Sequence, residues 1–186
     1  MATHKTLLSK SSSSAARGRA ATRIARTIST KRGVVNSHGG RTKTEGAIRA
    51  GNGKYQFRMA TLKKVDAGTG YSTSHGGVVE GKRMLVGYIH KPRGTGSRMH
   101  THKNEQFNYV VRGTLVGSVN GKRVVAPAGT LIYIPANAPH TLVAAPDDED
   151  VIFLAIKDLS QGIVGKAVDG TMSGPLYQKG FEPKSR

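Results

Sequence analysis

The stretch GTGSRMHTHKNEQFNYVVRG, residues 94–113, decides how this chain is read. In an extended strand, residues two apart face the same way, so His100 and His102 project from one face, and Arg98 shares it. Past a short turn, Gln106, Asn108 and Val110 form one face of the next strand, while Glu105, Phe107, Tyr109 and Val111 form the other. Only one of Glu105 and Gln106 can therefore point with the histidines. Two imidazoles side by side offer two neutral nitrogen donors. A carboxylate or amide oxygen and a third imidazole would complete a site for Mn, Fe, Co, Ni, Cu or Zn. His140, after the corner PANAP at residues 135–139, is the natural third imidazole.

Outward from this hairpin the text reads as all-β. Short runs rich in Val, Ile, Tyr, Phe and Thr, separated by Gly, Pro, Asn and Asp, predict strands at 54–65, 84–91, 96–102, 105–112, 114–119, 122–126, 130–134, 140–145 and 151–157. In LVGSVNGKRVVA, Asn120 and Gly121 supply the two positive-φ positions of a tight hairpin turn. The acidic run Asp147-Asp148-Glu149-Asp150 lies between two apolar strands and reads as a solvated loop. So many short strands in one domain imply a sandwich or a small barrel, and a barrel of this size can hold one ligand. Tyr88 and His90 in MLVGYIHK are further candidates to face inward. His75, in YSTSHGG, and His38 fall in glycine-rich text that reads as loop.

The spacing of these motifs resembles that of the cupin superfamily. Its first motif runs Gly, five residues, His-x-His, three or four residues, Glu, six residues, Gly. Here it reads Gly94, TGSRM, His100-Thr101-His102, KNE, Gln106, FNYVVR, Gly113, with Gln in place of Glu. The second motif runs Gly, five residues, Pro-x-Gly, two residues, His, three residues, Asn. Here it reads Gly129, TLIYI, Pro135-Ala136-Asn137, Ala138-Pro139, His140, TLV, Ala144. Asn137 replaces a glycine, a mild change because Asn tolerates the left-handed conformation of a corner. Ala144 replaces the usual Asn.

The resemblance implies a cupin-type double-stranded β-helix, a jelly-roll barrel, over residues 51–160. It implies a single divalent transition metal, iron first and Mn, Ni, Zn or Cu as alternatives, held by His100, His102, Gln106 and His140. Counting back from Gly113 selects Gln106, and Glu105 is the alternative if the turn is shorter. With four neutral ligands the ion would keep nearly its whole charge and act as a stronger Lewis acid. Arg98 would anchor a carboxylate or enolate substrate. The function implied is a metal-dependent enzyme acting on a small oxygenated molecule, with a lean toward a dioxygenase. A decarboxylase, lyase or isomerase is the alternative within catalysis, and a non-catalytic module binding a small molecule or metal is the alternative outside it. Paired cupin barrels also suggest a homodimer.

Composition bounds the rest. The chain has 186 residues and a net charge of +18, of which +14 lies in residues 1–64. Residues 1–50 are thus expected to be a flexible basic tail, Ser/Arg-rich and nearly free of acidic residues. A solvated tail, an organelle transit peptide, or loose contact with nucleic acid would each suit that composition. Residues 161–186 are Gly-rich and are expected to pack on the barrel. Cysteine is absent, which excludes disulfides, thiolate nucleophiles and Cys-type metal sites. No secretory core or membrane-spanning apolar run is present, so a cytoplasmic location is expected, or an organelle matrix if the tail is a transit peptide.

Overall fold

The computed structural model describes residues 41–51, 53–170 and 174–184. Their strands, in chain order, are β1 (Ile48–Arg49), β2 (Val65–Asp66), β3 (His75–Glu80), β4 (Met84–Lys91), β5 (Thr95–Gly96), β6 (His100–Thr101) and β7 (Gln106–Arg112). There follow β8 (Thr114–Val119), β9 (Lys122–Pro127), β10 (Leu131–Ile134), β11 (His140–Ala144), β12 (Val151–Asp158), β13 (Lys166–Ala167) and β14 (Leu176–Tyr177). One sheet has the order β1-β3-β4-β12-β7-β10, with β2 beside β3. The other runs β13-β6-β11-β5-β14, with β8 also pairing β11 and carrying β9. The order is far from sequential, because between β6 and β12 the chain passes repeatedly from one sheet to the other, and this is the jelly-roll arrangement of a double-stranded β-helix.

Period-two alternation places the core. Leu85 and Ile89 of β4, Val110 of β7, and Val151, Phe153 and Ala155 of β12 all point inward and are buried. Each large aliphatic buried this way is worth about 1.5–3 kcal/mol. Six inward positions break the apolar pattern: Lys91, His100, Gln106, Asn108, His140 and Lys157 are each no more than 8% exposed. Two turns are built as the sequence predicts. Asn120 and Gly121 take φ of 49° and 76° between β8 and β9, and Asn137 takes φ of 62° at the Pro135 corner.

Four expectations need correction. The strand expected over 54–65 is mostly irregular, with a 3-10 turn at Met59–Thr61 and only Val65–Asp66 extended. Thr61 donates its backbone N–H and its hydroxyl to the Arg58 carbonyl, a local alternative to sheet pairing. The His75-Gly-Gly segment is not a loop but the start of β3, paired with β2 and β4. Its glycines are there for close approach. A Cβ on Gly76 would stand 2.0 Å from the Tyr88 carbonyl oxygen, and one on Gly77 would stand 2.6 Å from that of Met59. Tyr88 and His90 lie on the outward phase of β4, because Leu85, Gly87, Ile89 and Lys91 take the inward one.

The boundary drawn at residue 50 also moves. Ile48 and Arg49 pair in parallel with Val79 and Glu80 of β3. The Glu80 side chain, fully buried, accepts the backbone N–H groups of Lys43 (2.8 Å) and Thr44 (2.7 Å). Thr44 Oγ1 in turn accepts the N–H of Ile163 at 2.9 Å. Ile48 and Arg49 are therefore part of the first sheet, and Lys43 and Thr44 are tied to it. The tail reading for residues 1–40, and His38 with it, lies outside the described residues. At the other end of the chain, β13 pairs β6 and β14 pairs β5, so the segment after residue 160 extends the second sheet.

Candidate functional site

The two sheets enclose a cavity with about 440 Å3 of empty space, its open mouth included. Lys91, Gln106, Asn108 and Lys157 face it from the first sheet, and Ser97, His100, His140 and Leu142 from the second. His100 and His140 are direct register partners across β6 and β11. β11 is held on its other side by β8, with His140 opposite Val119, so His140 sits in the middle of a paired sheet. His102 lies just past β6, and its carbonyl accepts the N–H of Asn137 at 2.8 Å, tying the histidine segment to the left-handed corner.

The three imidazoles are fixed in the same way. His100 Nδ1 is 2.8 Å from the Arg98 carbonyl oxygen, His102 Nδ1 is 2.9 Å from that of Asn104, and His140 Nδ1 is 2.9 Å from that of Ala138. A carbonyl has no proton to give, so each Nδ1 is the donor, and each neutral ring carries its lone pair on Nε2. His102 Nε2 is buried with no hydrogen-bond partner. Burial, reinforced by the neighbouring His140, pulls His100 down to about 2. Burial and then the charge of Lys157 take His102 to about 4, and burial takes His140 to about 3. All three are neutral at pH 7, as metal ligands must be.

Gln106 faces the cavity and Glu105 faces solvent, where its carboxylate accepts the Tyr133 hydroxyl at 2.8 Å. The Gln106 amide nitrogen donates to Asn108 Oδ1 at 2.6 Å, and the Gln106 side chain also acts on His102. The ring centroids of His100 and His140 are 4.0 Å apart, those of His102 and His140 4.8 Å, and those of His100 and His102 6.2 Å. Imidazoles bound cis to one ion, with nitrogen at about 2.1 Å, place their centroids roughly 4.5–5 Å apart. The three spacings straddle that range. Among the described residues no group of three or more His, Cys, Asp or Glu is arranged to hold a metal as it stands. The donor chemistry suits a divalent metal, with the His100 and His102 rings set farther apart than the other two pairs.

Arg98 does not line the cavity: its Nε donates to the Gly174 carbonyl at 2.8 Å. Several residues that do matter were not singled out from the sequence. Asn104, fully buried, donates its amide to the carbonyls of Asp158 (2.6 Å) and Gln161 (2.7 Å), and so holds the carbonyl that orients His102. Tyr71 lies against His100, with centroids 4.6 Å apart, and accepts the Gly165 N–H at 2.7 Å. Burial raises its phenol to about 12. Lys91 and Lys157 are buried ammonium groups on the cavity wall, each held down to about 7 by burial. The pairing of β4 between β3 and β12 sets the inward phase of Lys91.

Residues 87–157 match the family model described as a cupin domain. Among solved structures, the chain is similar to the polyketide cyclase RemF from Streptomyces resistomycificus, at 18% identity and a TM-score of 0.50 over 57% of this chain and 80% of that one. It is similar to KdgF from Halomonas sp. at 20% identity and a TM-score of 0.44, covering 52% and 86%. The cupin 2 domain-containing protein from Halorhodospira halophila aligns at 20% identity and 0.42, covering 47% and 61%. Identities this low speak to fold alone. No curated protein sequence matches the chain.

Proposed function

We propose, from the match of residues 87–157 to a cupin domain, that the chain is a metal-dependent cupin enzyme acting on a small oxygenated molecule, a dioxygenase in first place. The observation that carries this reading is the shared orientation of three buried histidines, each giving Nδ1–H to a backbone carbonyl and keeping Nε2 for a ligand. Such carbonyl-anchored imidazoles are the usual outer support of a metal site. His100, His102 and His140 would hold the ion through Nε2, and Gln106 through Oε1. A bound divalent ion with only neutral ligands supplies Lewis acidity toward an enolisable substrate and, as iron, a partner for O2. The protein's own part is to keep the rings neutral, fix their tautomers and exclude bulk water around them.

Metal analysis of the purified full-length protein, followed by O2 uptake with β-diketones, catechols and 2-oxo acids, tests the proposal. Iron near one per chain with substrate-dependent O2 consumption is the expected result. Manganese, nickel or zinc with turnover but no O2 uptake would instead place the protein with decarboxylases, lyases or isomerases. Catalysis that survives complete metal removal would overturn the mechanism. The 6.2 Å separation of His100 and His102 favours a second reading, a non-catalytic module that binds a small molecule or metal. On that reading no candidate is turned over.

We propose the cytoplasm as its location, or an organelle matrix if the basic segment serves as a transit peptide. Among the described residues no helix is long and apolar enough to cross a membrane. A homodimer would cover the outward face of β7 and β10, where Tyr109, Val111, Leu131 and Tyr133 are 41–56% exposed. Sedimentation at micromolar concentration is expected to give twice the chain mass, and a monomer shows that this face is left open.

A further inference from the structure

Lys91, the last residue of β4, and Lys157, the last but one of β12, are oriented in an unusual way. A lysine closing a β-strand normally turns its ammonium to water, yet these two are 2% and 4% exposed and stand on the inward phase of β4 and β12. Both line the same cavity. Each ammonium has three N–H donors, and each makes one protein hydrogen bond: Lys91 Nζ to the Leu142 carbonyl at 2.8 Å, and Lys157 Nζ to the Ile163 carbonyl at 2.9 Å.

No carboxylate offsets these charges from within. None of the residues lining the cavity is Asp or Glu. Glu80, the buried acid on β3, uses its two oxygens on the backbone of Lys43 and Thr44. Asp158 follows Lys157 on the opposite phase, outside the cavity; its charge partly favours the Lys157 ammonium, while its oxygens take the N–H groups of Glu105 and Ser160. The ion pairs found among the described residues, His90 with Asp150 and Arg112 with Glu149, involve neither lysine. A buried cation without a counter-charge is strongly destabilising. Placing two in one cavity makes sense when a ligand brings the opposite charge.

From this geometry we propose that the cavity takes a small dianionic carboxylate, a short dicarboxylate or the enolate of a 2-oxo acid, gripped by the ammonium groups of Lys91 and Lys157. The inference rests on the active-site reading above and names the substrate class of that site. Two separate cations suit two separate negative groups. Ser97 and Asn108 on the same wall supply the neutral polar groups that would orient the ligand.

Titrating the full-length protein calorimetrically with malonate, and with propionate as the singly charged control, tests this. Malonate is expected to bind at least tenfold more tightly. Lys91→Met and Lys157→Met are each expected to weaken malonate at least tenfold, the loss of a charged hydrogen-bond donor. Both variants keep the wild-type circular dichroism and melt no lower than wild type, because methionine fills the space without a buried charge. If either fails to fold, the Gln variant at that position carries the same expectation. Equal binding of the two acids, or dependence on fewer than both lysines, would overturn the proposal. Protein stripped of metal with a chelator separates this claim from the metal reading: it is expected to bind malonate within tenfold of the untreated protein. Malonate binding that vanishes on metal removal assigns the anion to a metal and sinks the lysine site. Lysine-dependent malonate binding in a protein that takes up no metal sinks only the metal reading.

Discussion

Replacing His140 by alanine is expected to lower divalent-metal affinity by more than about 100-fold, since loss of an outer partner alone typically costs roughly 10–100-fold. The barrel is expected to stay folded. His140 borders an existing cavity, so its removal enlarges a space rather than opening a void in close-packed core, and its backbone pairing with β6 and β8 does not depend on the side chain. Asn104→Ala is the companion variant. Its amide anchors the turn to the carbonyls of Asp158 and Gln161, and its own carbonyl receives His102 Nδ1–H. Losing the anchor frees His102 to rotate, so a fall of roughly 10–100-fold in metal affinity is expected with the ligand itself still present. Metal content after dialysis against a graded chelator, read beside circular dichroism, checks both variants. Full metal occupancy in His140→Ala would refute the ligand set.

Much of this centre was legible because a strand's side chains alternate. Once His100 and His102 are taken to face inward, parity leaves room for only one of the Glu105–Gln106 pair, and the structure turns Gln106 in and Glu105 out. The Asn120-Gly121 hairpin and the left-handed Asn137 corner follow from local backbone preference alone. Alternation cannot, however, say which face is inside when both carry apolar residues. Met84, Val86 and Tyr88 of β4 compete with Leu85 and Ile89, and only the pairing of β4 between β3 and β12 decides the matter. That choice turned Tyr88 and His90 outward and Lys91 inward. β3 was hidden for a different reason. Gly76 and Gly77 have weak strand propensity, and their value lies in letting Tyr88 and Met59 approach, a contact that is remote in sequence. Asn104 escaped notice because its role is carried by backbone carbonyls, which leave no mark on the sequence.

Acidification is expected to unfold the metal-free protein well above the usual carboxylate range. His100, His102 and His140 sit at about 2, 4 and 3 when folded, below the imidazole value of 6.5, with burial the first cause in each. Between those values and 6.5 the unfolded chain holds protons that the folded chain does not. The number bound is thus larger in the unfolded state, and stability falls as pH drops through 6.5. Each imidazole contributes about 1.4 kcal/mol per pH unit until its folded value is reached. Three together from pH 6.5 to 4.5 would remove on the order of 8 kcal/mol, comparable with the whole stability of a typical domain of about 5–15 kcal/mol. The lysines act in the same direction at higher pH. Lys91 and Lys157 are held at about 7, below 10.5, so between these values the unfolded chain again holds more protons and stability rises toward alkaline pH. Denaturant unfolding at half-unit steps from pH 4.5 to 9.5 is therefore expected to show a continuous rise, steepest below 6.5. His102→Gln is expected to reduce the acid-side slope by about one proton, because it removes one of the three groups that cannot protonate in place. A stability that stays flat from pH 7 to 4.5 would mean that the imidazoles are reached by water and protonate where they stand, and the buried, neutral donor set would be lost with it.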